Sequence, residues 1–139
     1  MITAERYHDI SCGHRVVGHE GKCRFLHGHN YRIHFEVEGE ELDAIGRVID
    51  FSVIKEKLCM WLEDNYDHKF LIWENDPLLD ELQRITEESL VVVPFNPTAE
   101  NIAKHLVTVV APIQLEGTKT KLIRCKIEET QKCSATYKI

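Results

Sequence analysis

The chain has 139 residues, 43% of them hydrophobic and 29% charged, and a formal net charge of −6. That length suits a single domain over residues 1–139, and no apolar run approaches the roughly 18 residues of a membrane span. The acidic balance argues against a nucleic-acid partner, whose phosphates favour a basic stripe, and leaves a small anionic substrate served by a local rim of Arg15, Lys22, Arg24 and Arg32.

The charged start, Met1-Ile2-Thr3-Ala4-Glu5-Arg6, lacks the apolar core of a secretion signal, so a cytoplasmic protein is expected. Five cysteines at 12, 23, 59, 125 and 133 have no regular spacing, which in a reducing compartment means free thiols.

Residues 2–12 predict a first strand, because Ile2, Ala4, Ile10 and Cys12 share one parity. Tyr31, Ile33, Phe35 and Val37 then alternate with polar residues, the signature of a half-buried antiparallel strand. After Asp50, a plausible N-cap, Phe51, Ile54, Leu58, Trp61 and Leu62 form a helical stripe reaching about Asn65. Asp76-Pro77 opens a short helix, Leu90–Val93 is strand-like in composition, and residues 73–95 form the least defined stretch. A further helix follows Asn96-Pro97-Thr98, carries its stripe from Ala99 to Val110 and is expected to end at Pro112. Two final strands are expected over Lys121–Glu129 and Cys133–Ile139. Runs of like elements rather than βαβα alternation predict an α+β fold with an antiparallel sheet.

Chemistry concentrates in Ser11-Cys12-Gly13-His14 and in the stretch from Lys22 to Tyr31. Extending the second strand backward gives His27 and His29 the parity of Tyr31, so both imidazoles face the core. Their Cα atoms would stand roughly 6.5–7 Å apart, within reach of one metal ion. His14, at the end of the neighbouring strand, is the third ligand candidate, and three imidazoles with an open position describe a catalytic zinc site. His8, His19, His34 and His105 are read as structural, with His19 the one to watch because it lies between the ligands. Spacing leaves Cys23 open between a fourth ligand, which would close the site, and a free thiol beside the metal. Asp67-His68, in the loop after the first helix, is either a carboxylate–imidazole pair for proton transfer or, more commonly, a solvated turn pair; Glu129 continues the core-facing parity of Ile123, Cys125 and Ile127 unless the strand ends before it and leaves it in solvent.

Taken together, His14, Cys23-x-x-x-His27-Gly28-His29-Asn30-Tyr31, Ile49-Asp50-Phe51, Asp67-His68, Asn96-Pro97-Thr98-Ala99-Glu100-Asn101 and Glu129-Thr130 resemble the 6-pyruvoyltetrahydropterin synthase family, in particular its 6-carboxytetrahydropterin synthase branch of the queuosine pathway. The resemblance spans nearly the whole sequence. It implies a T-fold, a four-stranded antiparallel sheet with two helices on one face, closing into a barrel as a homo-oligomer, most simply a hexamer. It also implies Zn²⁺ on His14, His27 and His29, Cys23 as proton-abstracting base, Asp67 and His68 in proton transfer, and Glu129 and Thr98 on the substrate. The implied reaction turns 7,8-dihydroneopterin triphosphate into 6-carboxytetrahydropterin, acetaldehyde and triphosphate. Alternatives are the pyruvoyl-forming activity on the same substrate and a non-catalytic zinc module. A folate-pathway variant of the reaction is disfavoured, because proteins of that type place Glu where Cys23 stands. Cys12 departs from the family pattern as an extra thiol near the metal.

Overall fold

The computed structural model describes residues 1–139. Six strands form one sheet in the order β4-β3-β1-β2-β5-β6, with β1 Thr3–His14, β2 His27–Gly39, β3 Phe70–Trp73, β4 Leu90–Val93, β5 Thr120–Glu128 and β6 Ser134–Lys138. Three helices accompany it: α1 over residues 51–65, α2 Leu79–Thr86 and α3 over residues 99–114.

The central pairings β1–β2, β2–β5 and β5–β6 are antiparallel, as the alternating sequences require. On one side of this sheet Ile10, Tyr31, Ile33, Phe35, Leu122 and Ile127 are buried against Ile54, Leu58 and Leu62 of α1 and Ile102, Leu106 and Val110 of α3. The opposite side carries ion pairs instead, including Arg32 Nε to Asp9 at 2.8 Å and His34 Nε2 to Glu128 at 2.6 Å. One face is thus greasy and one wet, which fixes the register: a shift by one residue would turn the greasy set into water.

Two expectations are corrected. The sheet has six strands rather than four and is mixed, because β3 runs parallel to both β1 and β4. Phe70-Leu71-Ile72-Trp73 is a short continuous apolar run, the mark of a strand covered on both faces, and Leu71 and Ile72 are both fully buried. Gly13 makes the junction possible: its N–H donates to Lys69 O at 2.9 Å, and a Cβ there would lie 2.6 Å from the Phe70 ring. The other correction concerns Pro112, which does not end α3; the helix continues to Gln114. The preceding turn, Leu106–Val110, is wound as a π-turn, and this looser register accommodates a residue that has no N–H and crowds the turn behind it.

Both long helices are capped by side chains. Asp50 Oδ1 accepts from Ser52 N at 2.8 Å, and Thr98 Oγ1 from Asn101 N at 3.1 Å. Asp76 likewise accepts from Leu78 N ahead of α2, which lies beyond β3 as a third helix outside the two-helix layer expected. No helix is long and apolar enough to cross a membrane.

Leu62, with no exposed surface, and Ile113, 65% exposed, should separate core from surface. Leu62→Ala is expected to lower unfolding free energy by about 2–5 kcal/mol in urea titration, and Ile113→Ala by less than about 0.5 kcal/mol.

Candidate metal centre

The β1–β2 ladder sets His14 opposite His27 and Cys12 opposite His29. Since His14, His27 and His29 share the core-facing parity, their rings meet at the open end of the sheet. The ring centroids of His14 and His27 are 4.5 Å apart, His14 and His29 5.1 Å, and His27 and His29 4.8 Å. Glu129, one residue past β5, joins them, so that one ligand atom from each of the four residues lies within 4.8 Å of the others.

Backbone carbonyls orient two of the rings. Nδ1 of His14 donates to Pro97 O at 2.6 Å, and Nδ1 of His27 to Phe25 O at 2.7 Å. A ring that donates from Nδ1 in its neutral form has a lone pair at Nε2, and the Nε2 atoms of all three histidines are buried with no hydrogen-bond partner. Glu129 Oε1 stands 3.2 Å from His14 Nε2 and 3.1 Å from His29 Nε2. Those are ion-pair distances without a well-formed hydrogen bond, and at His14 the contact requires a second proton on a ring already donating from Nδ1. Contact with His14 holds the Glu129 carboxyl below its usual range despite burial, and His29 and His27 add to the effect. Burial lowers the His29 imidazole, favouring the neutral ligand form, while Glu129 opposes it. The lone pairs of His14 and His27 converge with the Glu129 carboxylate beside His29 Nε2, an arrangement that is repulsive without a cation in it, and nitrogen-rich donors of this kind suit zinc. The residues therefore fit a divalent metal held by His14, His27 and His29. Glu129, expected on the substrate, stands close enough to serve as a fourth donor.

The remaining predicted residues are distributed unequally. Cys23 sits on the short turn Lys22–Arg24 that leads into β2 and is half-buried; its sulfur makes no hydrogen bond and is not one of the four converging donors. Asp67 and His68 lie against the β3 side of β1, where Ser11 N donates to Asp67 Oδ1 at 2.9 Å and His68 N to Ser11 O at 2.7 Å. His68, at φ +60°, keeps Nδ1 2.8 Å from Asp67 Oδ2 and leaves 82% of its side chain exposed. Burial pushes the Asp67 carboxyl up, but the Ser11 N–H and His68 outweigh it and hold it lower than usual. A cleft of about 790 Å³ brings Asp67 and His68 together with Glu129 and Thr130, and Cys23 does not line it. Thr98 engages its hydroxyl as the α3 cap, and Asn96 exchanges hydrogen bonds with both backbone groups of Val17 at 3.0 and 2.9 Å.

Two of the four cations of the expected basic rim are paired with carboxylates. Arg15 is bound to Asp76, Arg32 to Asp9, and Arg24 donates to the carbonyls of Glu20 and Gly21. All five cysteines are free, and burial pushes the Cys12 thiol up to about 12, so this extra sulfur stays protonated and unreactive near neutrality. Of the four histidines read as structural, His8 and His34 pair with Glu63 and Glu128, His19 accepts from Gly21 N, and His105 packs on Phe95.

Fold and site together define an α+β domain with a three-histidine candidate metal centre at one end of its sheet. The sequence profile described as 6-pyruvoyl tetrahydropterin synthase matches residues 3–139, and the protein belongs to that family. A Rickettsia felis protein named 6-carboxy-5,6,7,8-tetrahydropterin synthase is 34% identical over 134 residues, 96% of this sequence and 97% of its own length. A Rickettsia typhi protein of the same name is 35% identical over 134 residues, with the same coverage of both sequences. Among solved structures, WS1659 from Wolinella succinogenes superposes with a TM-score of 0.83 at 26% identity, covering 99% of this protein and 97% of that one. The Caenorhabditis elegans 6-pyruvoyl tetrahydropterin synthase gives 0.69 at 25% identity, covering 99% and 95%.

One equivalent of a divalent metal per protomer is expected after gel filtration by mass-spectrometric metal analysis. His27→Ala should bring it close to zero while far-UV circular dichroism stays unchanged, because removing one of three nitrogen ligands opens the site without emptying the core.

Proposed function

We propose that the protein is a zinc-dependent carbon–carbon lyase that converts 7,8-dihydroneopterin triphosphate and one water into 6-carboxy-5,6,7,8-tetrahydropterin with release of acetaldehyde and triphosphate. The observation that carries this reading is the convergence of three buried, unpartnered Nε2 atoms, two of them on rings oriented by Pro97 O and Phe25 O. Support for the product comes from the relatives named 6-carboxy-5,6,7,8-tetrahydropterin synthase, which match over nearly their whole length.

His14, His27 and His29 would hold the zinc ion, whose Lewis acidity would make a C–H bond of the substrate easier to ionise. Cys23, on the turn entering β2, takes that proton as a thiolate. Glu129, at the rim shared by the histidine centre and the cleft, accepts N–H bonds from the amino-pyrimidine edge of the pterin. His68 faces the cleft and exchanges protons with departing or arriving oxygens, while Asp67 fixes its ring. The rearrangement, elimination and carbon–carbon cleavage are redox-neutral overall and need no redox cofactor. A homo-oligomer is part of the same reading: β4 and β6 leave both ends of the sheet unpaired, and pairing between copies would close them into a barrel, most simply a hexamer.

Zinc-loaded protein is expected to release acetaldehyde from 7,8-dihydroneopterin triphosphate, detected with a coupled alcohol dehydrogenase. Cys23→Ala should retain its zinc and lose turnover by about 10²–10⁴-fold. Turnover without acetaldehyde would point to the pyruvoyl product and refute the lyase assignment, whereas loss of zinc in Cys23→Ala would make Cys23 a ligand.

A further inference from the structure

Arg15 follows His14 directly and its side chain makes no hydrogen bond or ion pair with the histidine centre, yet all three of its guanidinium nitrogens are engaged. Its Nε donates to Asp76 Oδ2 at 2.7 Å and its Nη2 to Asp76 Oδ1 at 3.0 Å, a planar two-point grip. The Asp76 side chain is 1% exposed and also accepts from Leu78 N at 2.8 Å, so it is an anchor with little freedom. The third nitrogen, Nη1, donates to Arg24 O at 3.0 Å. Val16 N, one residue on, donates to Cys23 O at 2.8 Å.

Two consecutive carbonyls of the thiol-bearing turn are therefore tied to two consecutive residues after His14. One tie is backbone and independent of sequence, whereas the other depends on a guanidinium held by a carboxylate 61 residues away. Stability alone does not explain this choice. A buried ion pair has a large desolvation cost, and an apolar pair of similar volume is often at least as stable. What an apolar pair cannot supply is a fixed N–H aimed at Arg24 O, and a lysine would lack the fork.

We propose that Arg15, held by Asp76, is a positioning residue that sets the approach of the Cys23 thiol to the histidine centre; this rests on the reading of Cys23 as the proton-abstracting base. It gives the segment between β3 and α2 a task, since that segment supplies the anchor.

The test compares zinc-loaded wild type, Arg15→Lys, Asp76→Asn, Cys23→Ala and the double variant Arg15→Lys/Cys23→Ala. In Arg15→Lys and Asp76→Asn, zinc content should stay at one per protomer and KM within about threefold, while kcat falls roughly 10–100-fold, the scale of an ångström-sized misplacement of a reacting group. The rate at which iodoacetamide alkylates Cys23, followed by peptide mass, should change in both variants. In the Cys23→Ala background, Arg15→Lys should remove no further turnover, because its effect passes through the thiol. Wild-type kcat in either folded, zinc-loaded variant, or an equal loss in both backgrounds, would overturn the assignment. Undiminished turnover in Cys23→Ala alone, with Arg15 untouched, would instead overturn the thiol reading on which it rests.

Discussion

The antiparallel register of β1 against β2 is the constraint on which the site depends. His14 and His27 are direct partners, and His29 faces Cys12 two positions further along the ladder. A slip of one residue would point His27 and His29 toward the wet face while His14 stayed inside, and three nitrogens could not converge. The register is held from the far end by the buried residues Ile33, Phe35 and Val37, whose exposure would accompany any slip. With roughly 1.5–3 kcal/mol at stake for each large apolar side chain, the core enforces the geometry of the centre from a distance.

A second layer of control comes from the loops. Asn96-Pro97-Thr98 works as one device: Asn96 grips Val17, Pro97 offers its carbonyl to His14, and Thr98 caps α3. The start of a helix and the orientation of a metal-ligand ring are thereby coupled. Phe25 O does the same for His27, and its neighbours 23 and 24 are the carbonyls bound by Val16 and Arg15. The segment between the two histidine-bearing strands is thus pinned at three successive carbonyls, which suits the thiol role proposed for Cys23.

Much of this is legible in the sequence wherever information is local. Parity places His27, His29 and Glu129 on the core side, and stripes and caps place α1 and α3 to within a few residues. Residues 70–73 carry a strand signal, because four apolar residues in a row suit a covered parallel strand, but nothing local says that they lie beside Gly13. Parallel neighbours joined through a helix are set by tertiary packing, and so is the grip of Arg15 on Asp76 across 61 residues. The end of α3 departs from expectation because proline's local penalty is overridden where a π-turn precedes it and the helix packs on a sheet. Glu129 lies on the expected face, but its approach to the histidines depends on where the end of β5 falls relative to β2, which parity alone does not specify.

The centre and the thiol must be chemically distinct for the protein to work as an enzyme rather than as a closed zinc module. The zinc K-edge absorption spectrum of the loaded protein addresses that distinction at the metal itself. A three-histidine centre with Cys23 outside it should show a shell of nitrogen and oxygen neighbours at about 2.0–2.1 Å, three of them imidazoles, and no sulfur. A sulfur neighbour at about 2.3 Å would make Cys23 a ligand and rule out its role as a free base beside the metal.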